Sequence, residues 1–378
     1  MSENARFDLN GEALASTRPS AAELGLAHDV VELTAALVDI PSVSGEEHLI
    51  ADAVEREART FPHLEILRDE DTVVARTHFG RPARVVLAGH LDTVPIAGNV
   101  PGRRDGEFLW GRGTVDMKAG CAVFLQLMRE LREPRLDITW IFYDHEEVAA
   151  NLNGLGRVLR LHPHWLEGDV AILGEPTNGG IEAGCNGTMR LSITAHGKAA
   201  HSARPWTGSN AVHALGEVLR RLEEWPLSVR NVGGLDYRES LLAVGISGGG
   251  PRNIVPDEAA VIVNFRFAPD RSERQAEDYV RSLFADLPVT IAVTDSAPAA
   301  DPGTNHSELD RLSHELELRG AGPVAAKLGW TDVARFSALG MPAINCGPGD
   351  PLLAHQDEEA CSIEQIRSVY RAFTAWLQ

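Results

Sequence analysis

Lysine is almost missing from this chain: only Lys118, Lys198 and Lys327 stand among its 35 basic residues. We read that scarcity as genome composition. Basic charge as a whole falls short, with 54 acidic residues and a formal charge of -19. Nucleic acid and anionic membranes are therefore excluded as partners, because both need a basic surface. Cysteine is sparse too. Cys121, Cys185, Cys346 and Cys361 are scattered with no Cys-x-x-Cys pair, which excludes a disulfide framework and a thiolate zinc site and suits a reducing cytoplasm. No run approaches the ~18 apolar residues of a membrane span. The polar first 25 or so residues lack the basic start and apolar core of a secretory signal, and are expected to be loose. Internal repeats and low-complexity tracts are absent as well. A hydrophobic content of 44% with 24% charged residues describes an ordinary globular protein, and 378 residues exceed one ordinary core, so two domains are expected.

Periodicity gives the fold class. Val30, Val31, Leu33, Leu37 and Val38 predict a helix ending before Pro41, and a second helix is expected over about 46–59. Short β-rich runs follow at 64–67, 72–77 and 84–89, then a helix over 117–131 and strands at 138–143 and 170–173. Strands alternating with helices predict an α/β fold whose mixed, mostly parallel sheet is flanked by helices. The texture changes near Gly184. A strand at 188–195, a helix through Ala211 to Leu222, strands at 241–246 and 259–267 and a helix at 272–284 follow the β-α-β-β-α-β order of a ferredoxin-like α+β domain. From about Ala300 the α/β pattern returns, with a buried strand at 342–346 and a closing helix at 363–377. The expected organisation is a catalytic domain of residues 1–185 and 298–378, interrupted by an inserted lid or dimerisation domain of residues 186–297. Small and polar residues at 184–187 and 295–300 mark candidate hinges.

The chemistry sits at strand ends. Gly89-His90-Leu91-Asp92-Thr93-Val94-Pro95 closes an apolar run, and alternation sends His90 and Asp92 the same way. In open α/β sheets, ligands collect beyond the carboxyl ends of the strands. Asp116 stands in a glycine-rich loop opening a helix, where an N-cap is the ordinary role for Asp. Glu146 and Glu147 leave the strand ending at Asp144 on divergent faces; Glu175 follows the strand at 170–173; His355 follows a Gly-Pro-Gly turn. Each could be structural alone. Together, two histidines and several carboxylates without cysteine suit zinc or a similar divalent ion. If one carboxylate bridges, five ligands serve two ions ~3.5–4 Å apart, with Asp116 as the bridge, His90 and Glu175 on one ion and Glu147 and His355 on the other.

In order along the chain, Gly-His90-Leu-Asp92-Thr-Val-Pro, Gly-Arg-Gly-Thr-Val-Asp116-Met-Lys, Asp144-His145-Glu146-Glu147-Val, Gly-Glu175-Pro-Thr and Gly197-Lys-Ala-Ala-His201-Ser-Ala-Arg-Pro strongly resemble the dinuclear zinc aminoacylase and carboxypeptidase family, and within it the bacterial succinyl-diaminopimelate desuccinylases. The resemblance runs from about residue 28 to the C-terminus. It implies two divalent ions, zinc foremost with cobalt or manganese possible, on His90, Asp116, Glu147, Glu175 and His355. It also implies that Asp92 orients the His90 imidazole, that Glu146 is the general base, and that His201 reaches the neighbouring subunit of a homodimer to stabilise an oxyanion. Substrate carboxylates need cationic or amide donors; Arg266, which interrupts an apolar strand, and Asn253 are the candidates, with a salt-bridged structural Arg266 as the alternative.

The implied reaction is hydrolysis of N-succinyl-LL-2,6-diaminopimelate. Acetylornithine deacetylation, other N-acyl amino acid hydrolysis and peptide trimming stay open on the sequence, as does a fold-sharing binding protein without activity, which Glu146 argues against. Two departures stand out. His145 occupies a place that is commonly Asp in the family, and Trp330 replaces a smaller residue in a substrate-facing stretch, so the amino-acid pocket is expected to differ.

Overall fold

The computed structural model describes residues 24–378. Of the stretch read as loose, only Leu24 and Gly25 fall among them. Eight strands form the main sheet in the order Glu65–Asp69, Thr72–Arg76, Asp137–Tyr143, Arg84–His90, Val170–Leu173, Ala343–Asn345, Glu182–Ala183, Ala325–Ala326. The four central strands, from Asp137–Tyr143 to Ala343–Asn345, run parallel, and antiparallel pairs flank them.

Alternation explains why this centre reads as nearly continuous apolar sequence. Val85 and Leu87 face one buried cluster and Val86 and Ala88 the other; Val170 and Ile172 part from Ala171 and Leu173 in the same way. A sheet covered on both faces needs apolar side chains at every position. On one face lie the helices Val30–Val38, His48–Ala58, Lys118–Glu130 and Ile363–Leu377; on the other lie Gly154–Leu161 and Val333–Ala338. The helix Lys118–Glu130 comes very close: a Cβ on Gly120 would stand 2.1 Å from the carbonyl oxygen of Gly174. Only glycine fits there, next to Glu175.

Parallel strands in register bring their carboxyl ends to one edge. His90 pairs with Tyr143, Ala88 with Leu173 and Leu173 with Asn345. The segments carrying Glu146, Glu175 and the loop toward His355 therefore leave the sheet beside His90.

Residues 187–297 build a second sheet, antiparallel and five-stranded, in the order Ser228–Val232, Leu235–Gly248, Glu258–Phe267, Gly187–His196, Val289–Ala297. The helices Ala211–Glu223 and Glu273–Leu283 supply residues to its own buried cluster. Where the chain passes between the two sheets, Cys185 and Ala300 exchange backbone hydrogen bonds of 3.2 and 3.0 Å. The two candidate hinges thus lie side by side. Two short strands that periodicity gives no sign of, Arg103–Asp105 and Phe108–Trp110, form a three-stranded sheet with Ala360–Ser362. No helix among the described residues is long and apolar enough to cross a membrane.

Candidate active site and metal centre

Asp116 is the centre of the constellation. One carboxylate oxygen, Oδ1, lies 3.1 Å from His90 Nε2 and the other, Oδ2, lies 3.3 Å from His355 Nε2. Glu147 Oε1 stands 2.9 Å from the same His355 nitrogen. One ligand atom each from His90, Asp116 and Glu147 fall within 4.8 Å of one another. The N-cap reading of Asp116 fails: Met117 occupies the cap position, with no side-chain cap.

Glu175 is buried beside this group and makes no hydrogen bond to it. Burial, then the charge of Asp116, pushes its pKa up to about 7. Glu146 is likewise held well above the ordinary carboxyl range by burial, with Asp332, Glu175 and Glu147 adding like charge. His355, whose backbone takes φ +65°, is raised to about 10 by its hydrogen bonds to Asp116 and Glu147.

The residues present suit a pair of divalent ions. Three carboxylates and two imidazoles converge, and among the described residues no lysine or arginine forms an ion pair with Asp116, Glu147 or Glu175. His90 Nδ1 lies 3.0 Å from the Asp92 carbonyl oxygen, an acceptor only, so Nδ1 carries the proton in a neutral ring and the Nε2 lone pair is aimed at Asp116. Without an ion, burial of His90 opposes its protonation but the carboxylates of Asp116 and Asp92 prevail and hold its pKa well above the ordinary imidazole range; a cation between Nε2 and Asp116 would take that proton's place.

Asp92 does more than the sequence suggested. Its carboxylate is 3.4 Å from His90 Nδ1, farther than its own carbonyl. Oδ1 accepts the Glu146 amide at 3.0 Å, while Oδ2 accepts the Glu147 amide at 3.0 Å and the Ser44 hydroxyl at 2.7 Å. Buried Glu47 accepts the preceding amide, of His145, at 3.0 Å. Three successive amides are pinned, which fixes a turn whose His145 sits at φ +58°. His145 itself contacts Asp144 at 2.7 Å, and Asp144 is committed to Arg157 and Thr72. The displaced acid therefore anchors the strand end.

Three predicted residues do not join the centre within one chain. His201 is exposed, its Nδ1 accepting the Ala203 amide at 3.0 Å. Asn253 is exposed, its carbonyl accepting the Ser202 amide at 2.8 Å. Arg266 is half-buried on the strand Glu258–Phe267, beside Arg190, with no ion pair or hydrogen bond from its side chain among the described residues. The salt-bridged alternative for Arg266 thus finds no partner. Trp330 turns its indole N–H to the Pro298 carbonyl at 3.1 Å, next to a candidate hinge.

Comparison with known proteins points the same way as the geometry. The model of peptidase family M20/M25/M40 matches residues 86–378. A putative succinyl-diaminopimelate desuccinylase of Mycobacterium tuberculosis H37Rv is 51% identical over 344 residues, covering 91% of this chain and 96% of that protein. The succinyl-diaminopimelate desuccinylase of Corynebacterium glutamicum is 46% identical over 354 residues, covering 92% and 95%. Among solved structures, a Staphylococcus aureus tripeptidase aligns with TM-score 0.74 at 20% identity, covering 92% of this chain and 96% of that one. A Bacillus subtilis protein described as a dinuclear metal binding peptidase of the M20 family aligns at TM-score 0.65 and 17% identity, covering 92% and 96%. Such distant likeness speaks to the fold alone.

Proposed function

This chain belongs to peptidase family M20/M25/M40, and on that premise we propose that it hydrolyses the amide of N-succinyl-LL-2,6-diaminopimelate, releasing succinate and LL-2,6-diaminopimelate. The observation that carries the hydrolytic reading is the placement of Asp116, with one oxygen toward His90 and the other toward His355. The acyl group rests on the desuccinylase relatives at 46–51% identity over most of the chain.

His90 and Glu175 would hold one divalent ion, His355 and Glu147 the other, and Asp116 both; zinc suits this donor set best, with cobalt or manganese as substitutes. Ions bound there supply Lewis acidity toward the amide carbonyl and toward water. Glu146 supplies proton transfer. Its buried carboxyl, with a raised pKa, takes a proton from the attacking water and returns it to the leaving amine. Asp92 keeps Glu146 and Glu147 pointing apart by gripping both amides.

Residues 186–297 are, in this reading, an inserted lid and dimerisation domain. Beyond its pairing with Ser228–Val232, the strand Leu235–Gly248 continues with one edge unpaired among the described residues, and it exposes Leu242, Val244 and Ile246 at 58–62%. A bulge between Ala243 and Gly245 turns Leu242 and Ile246 to opposite faces of the sheet, and apolar side chains exposed along an open edge invite a second copy. His201 would enter the neighbouring site and face the developing oxyanion. Arg266, half-buried beside Arg190 and with no ion pair of its own among the described residues, is a carboxylate clamp in waiting, with Asn253 as the second contact. Four free, buried cysteines accord with a reducing cytoplasm.

Comparing kcat/KM on succinyl-diaminopimelate, N-acetylornithine and a dipeptide tests the assignment. Preference for the first supports it; a large preference for acetylornithine refutes it.

A further inference from the structure

Glu359 lies in the acidic run Asp357-Glu358-Glu359, which in sequence reads as a solvated face. The structure buries it to 1% exposure. The reason is the small sheet: Ala360 pairs with Trp110, and the Gly111 amide donates to the Glu359 carbonyl at 3.0 Å. That pairing slides the Glu359 side chain beneath the loop Gly111–Asp116.

All its acceptor capacity is used there. Oε1 accepts the amides of Val115 at 2.8 Å and Asp116 at 3.1 Å; Oε2 accepts the Gly113 amide and Arg112 Nη1, each at 3.0 Å. Arg112, itself 3% exposed, also donates to the carbonyls of Pro95 at 3.1 Å and Gln356 at 3.0 Å. Pro95 ends the His90–Asp92 segment and Gln356 follows His355. The Glu359–Arg112 pair therefore joins the three segments that carry His90, Asp116 and His355.

Stability alone does not account for it. A buried ion pair is generally no better than apolar residues of the same volume, but no apolar side chain can satisfy three amides at defined positions. What this pair supplies is fixed geometry. We propose that Glu359 is a positioning residue that sets Asp116 against His90 and His355, and so governs the spacing and affinity of the two ion sites; this rests on the metal reading given above.

The chemistry of the side chain says where the damage falls in Glu359→Gln. An amide NH2 cannot face the Arg112 guanidinium, so the remaining oxygen stays on Arg112 and Gly113. The NH2 then confronts the Val115 and Asp116 amides. Donor meets donor at the bridging ligand.

The test titrates metal-free protein with Co(II), reading the stoichiometry, the affinity and the visible absorption, with kcat, KM and Tm alongside. Glu308→Gln is the control, because Glu308 is also a largely buried, ion-paired glutamate, bound to Arg135 and Trp376 far from the site. In Glu359→Gln, affinity for at least one ion should fall about 10- to 100-fold with a changed Co(II) spectrum, and kcat should fall while KM holds within about threefold. Glu308→Gln should lower Tm and leave spectrum and affinity alone. A Glu359→Gln protein with the parental spectrum and affinities, or one matching Glu308→Gln in every readout, overturns the proposal. Should Glu359→Gln fail to fold, Arg112→Lys takes its place: it keeps the charge and loses the fork that reaches Pro95 and Gln356. A parental Co(II) spectrum there is equally fatal. Failure of the metal reading itself would look different, as unaltered protein that binds fewer than two ions before any variant is made.

Discussion

Asp92→Asn changes a single atom and should still cost the turn that carries Glu146 and Glu147 its hold. The carboxylate takes both amides, one on each oxygen, at 3.0 Å. Asn keeps the shape but offers one oxygen and one NH2, so one amide must face a donor. A lost charge-assisted bond is worth ~1.5–3 kcal/mol and a stranded buried amide ~1–3 kcal/mol, and these overlap because they concern the same group. The Ser44 hydroxyl, half-buried and free to rotate, can turn to accept. The net loss is about 2–4 kcal/mol, or roughly 4–16 °C in Tm at ~2–4 °C per kcal/mol. Thermal and urea unfolding of the metal-free protein is the suitable assay, since it separates the hydrogen bonds from any ion. Ser44→Ala, removing one of the three donors, should cost no more than ~1.5 kcal/mol. An Asp92→Asn protein that melts with the parent would refute the reasoning, because its two amides would then have another acceptor.

Three further outcomes follow from other parts of the structure. Glu146→Gln should lose about 10²- to 10⁴-fold in kcat and retain the parental metal content; an unchanged rate removes Glu146 from the base role. Asp137 titrates far from the metal centre. Burial works against its ionisation, but the amides of Phe79 and Arg81 and the Thr77 hydroxyl, at 2.8–2.9 Å, outweigh burial and lower its pKa. With the folded value below the unfolded one, its contribution is complete above the ordinary aspartate range and vanishes as pH falls through the folded value. Asp137→Asn should therefore lower Tm near neutrality and flatten its decline below about pH 4; parallel curves would contradict the sign. Val244→Lys, at the exposed bulge of the open edge, should shift the protein toward monomer in sedimentation, and an unaltered sedimentation coefficient would place any dimer contact elsewhere.

The central strands were legible because burial on both faces leaves nearly continuous apolar residues in 85–89, 138–143 and 170–173, and the helices because their apolar faces recur with the helical period. Some of the ligand candidates stood out for a related reason: His90, Glu147 and Glu175 stand at or just beyond the end of such a run, while Asp116 and His355 were marked instead by a glycine-rich loop and a Gly-Pro-Gly turn. Other edge strands were not legible. Val289–Ala297 alternates poorly between exposed and half-buried positions, and Arg103–Asp105 is fully exposed, so neither carries a period to read. The glycine-punctuated helix Gly154–Leu161 is too short to show one.

Glu47 and Glu359 were illegible for a deeper reason. A carboxylate that accepts the amides of a loop roughly 100 or 245 positions away leaves no mark on its own neighbours, and acidic runs are ordinarily solvated. One weak sign exists in each case: Glu47 follows a Ser-Gly turn, and Glu359 abuts the apolar pair Ala360-Cys361. Asp92 shows the same limit from the other side. Its place two residues after His90 suggested the imidazole as its partner; the structure keeps its carboxylate 3.4 Å from His90 Nδ1 and adds the Glu146 and Glu147 amides, which the sequence did not announce.

Metal stoichiometry tests the central claim most directly. Purified protein, stripped and reloaded with Zn(II), should hold two ions per chain by elemental analysis, and His90→Ala and His355→Ala should each weaken a different one. Fewer than two ions in the reloaded protein, or two ions held at parental affinity in both histidine variants, would contradict the account.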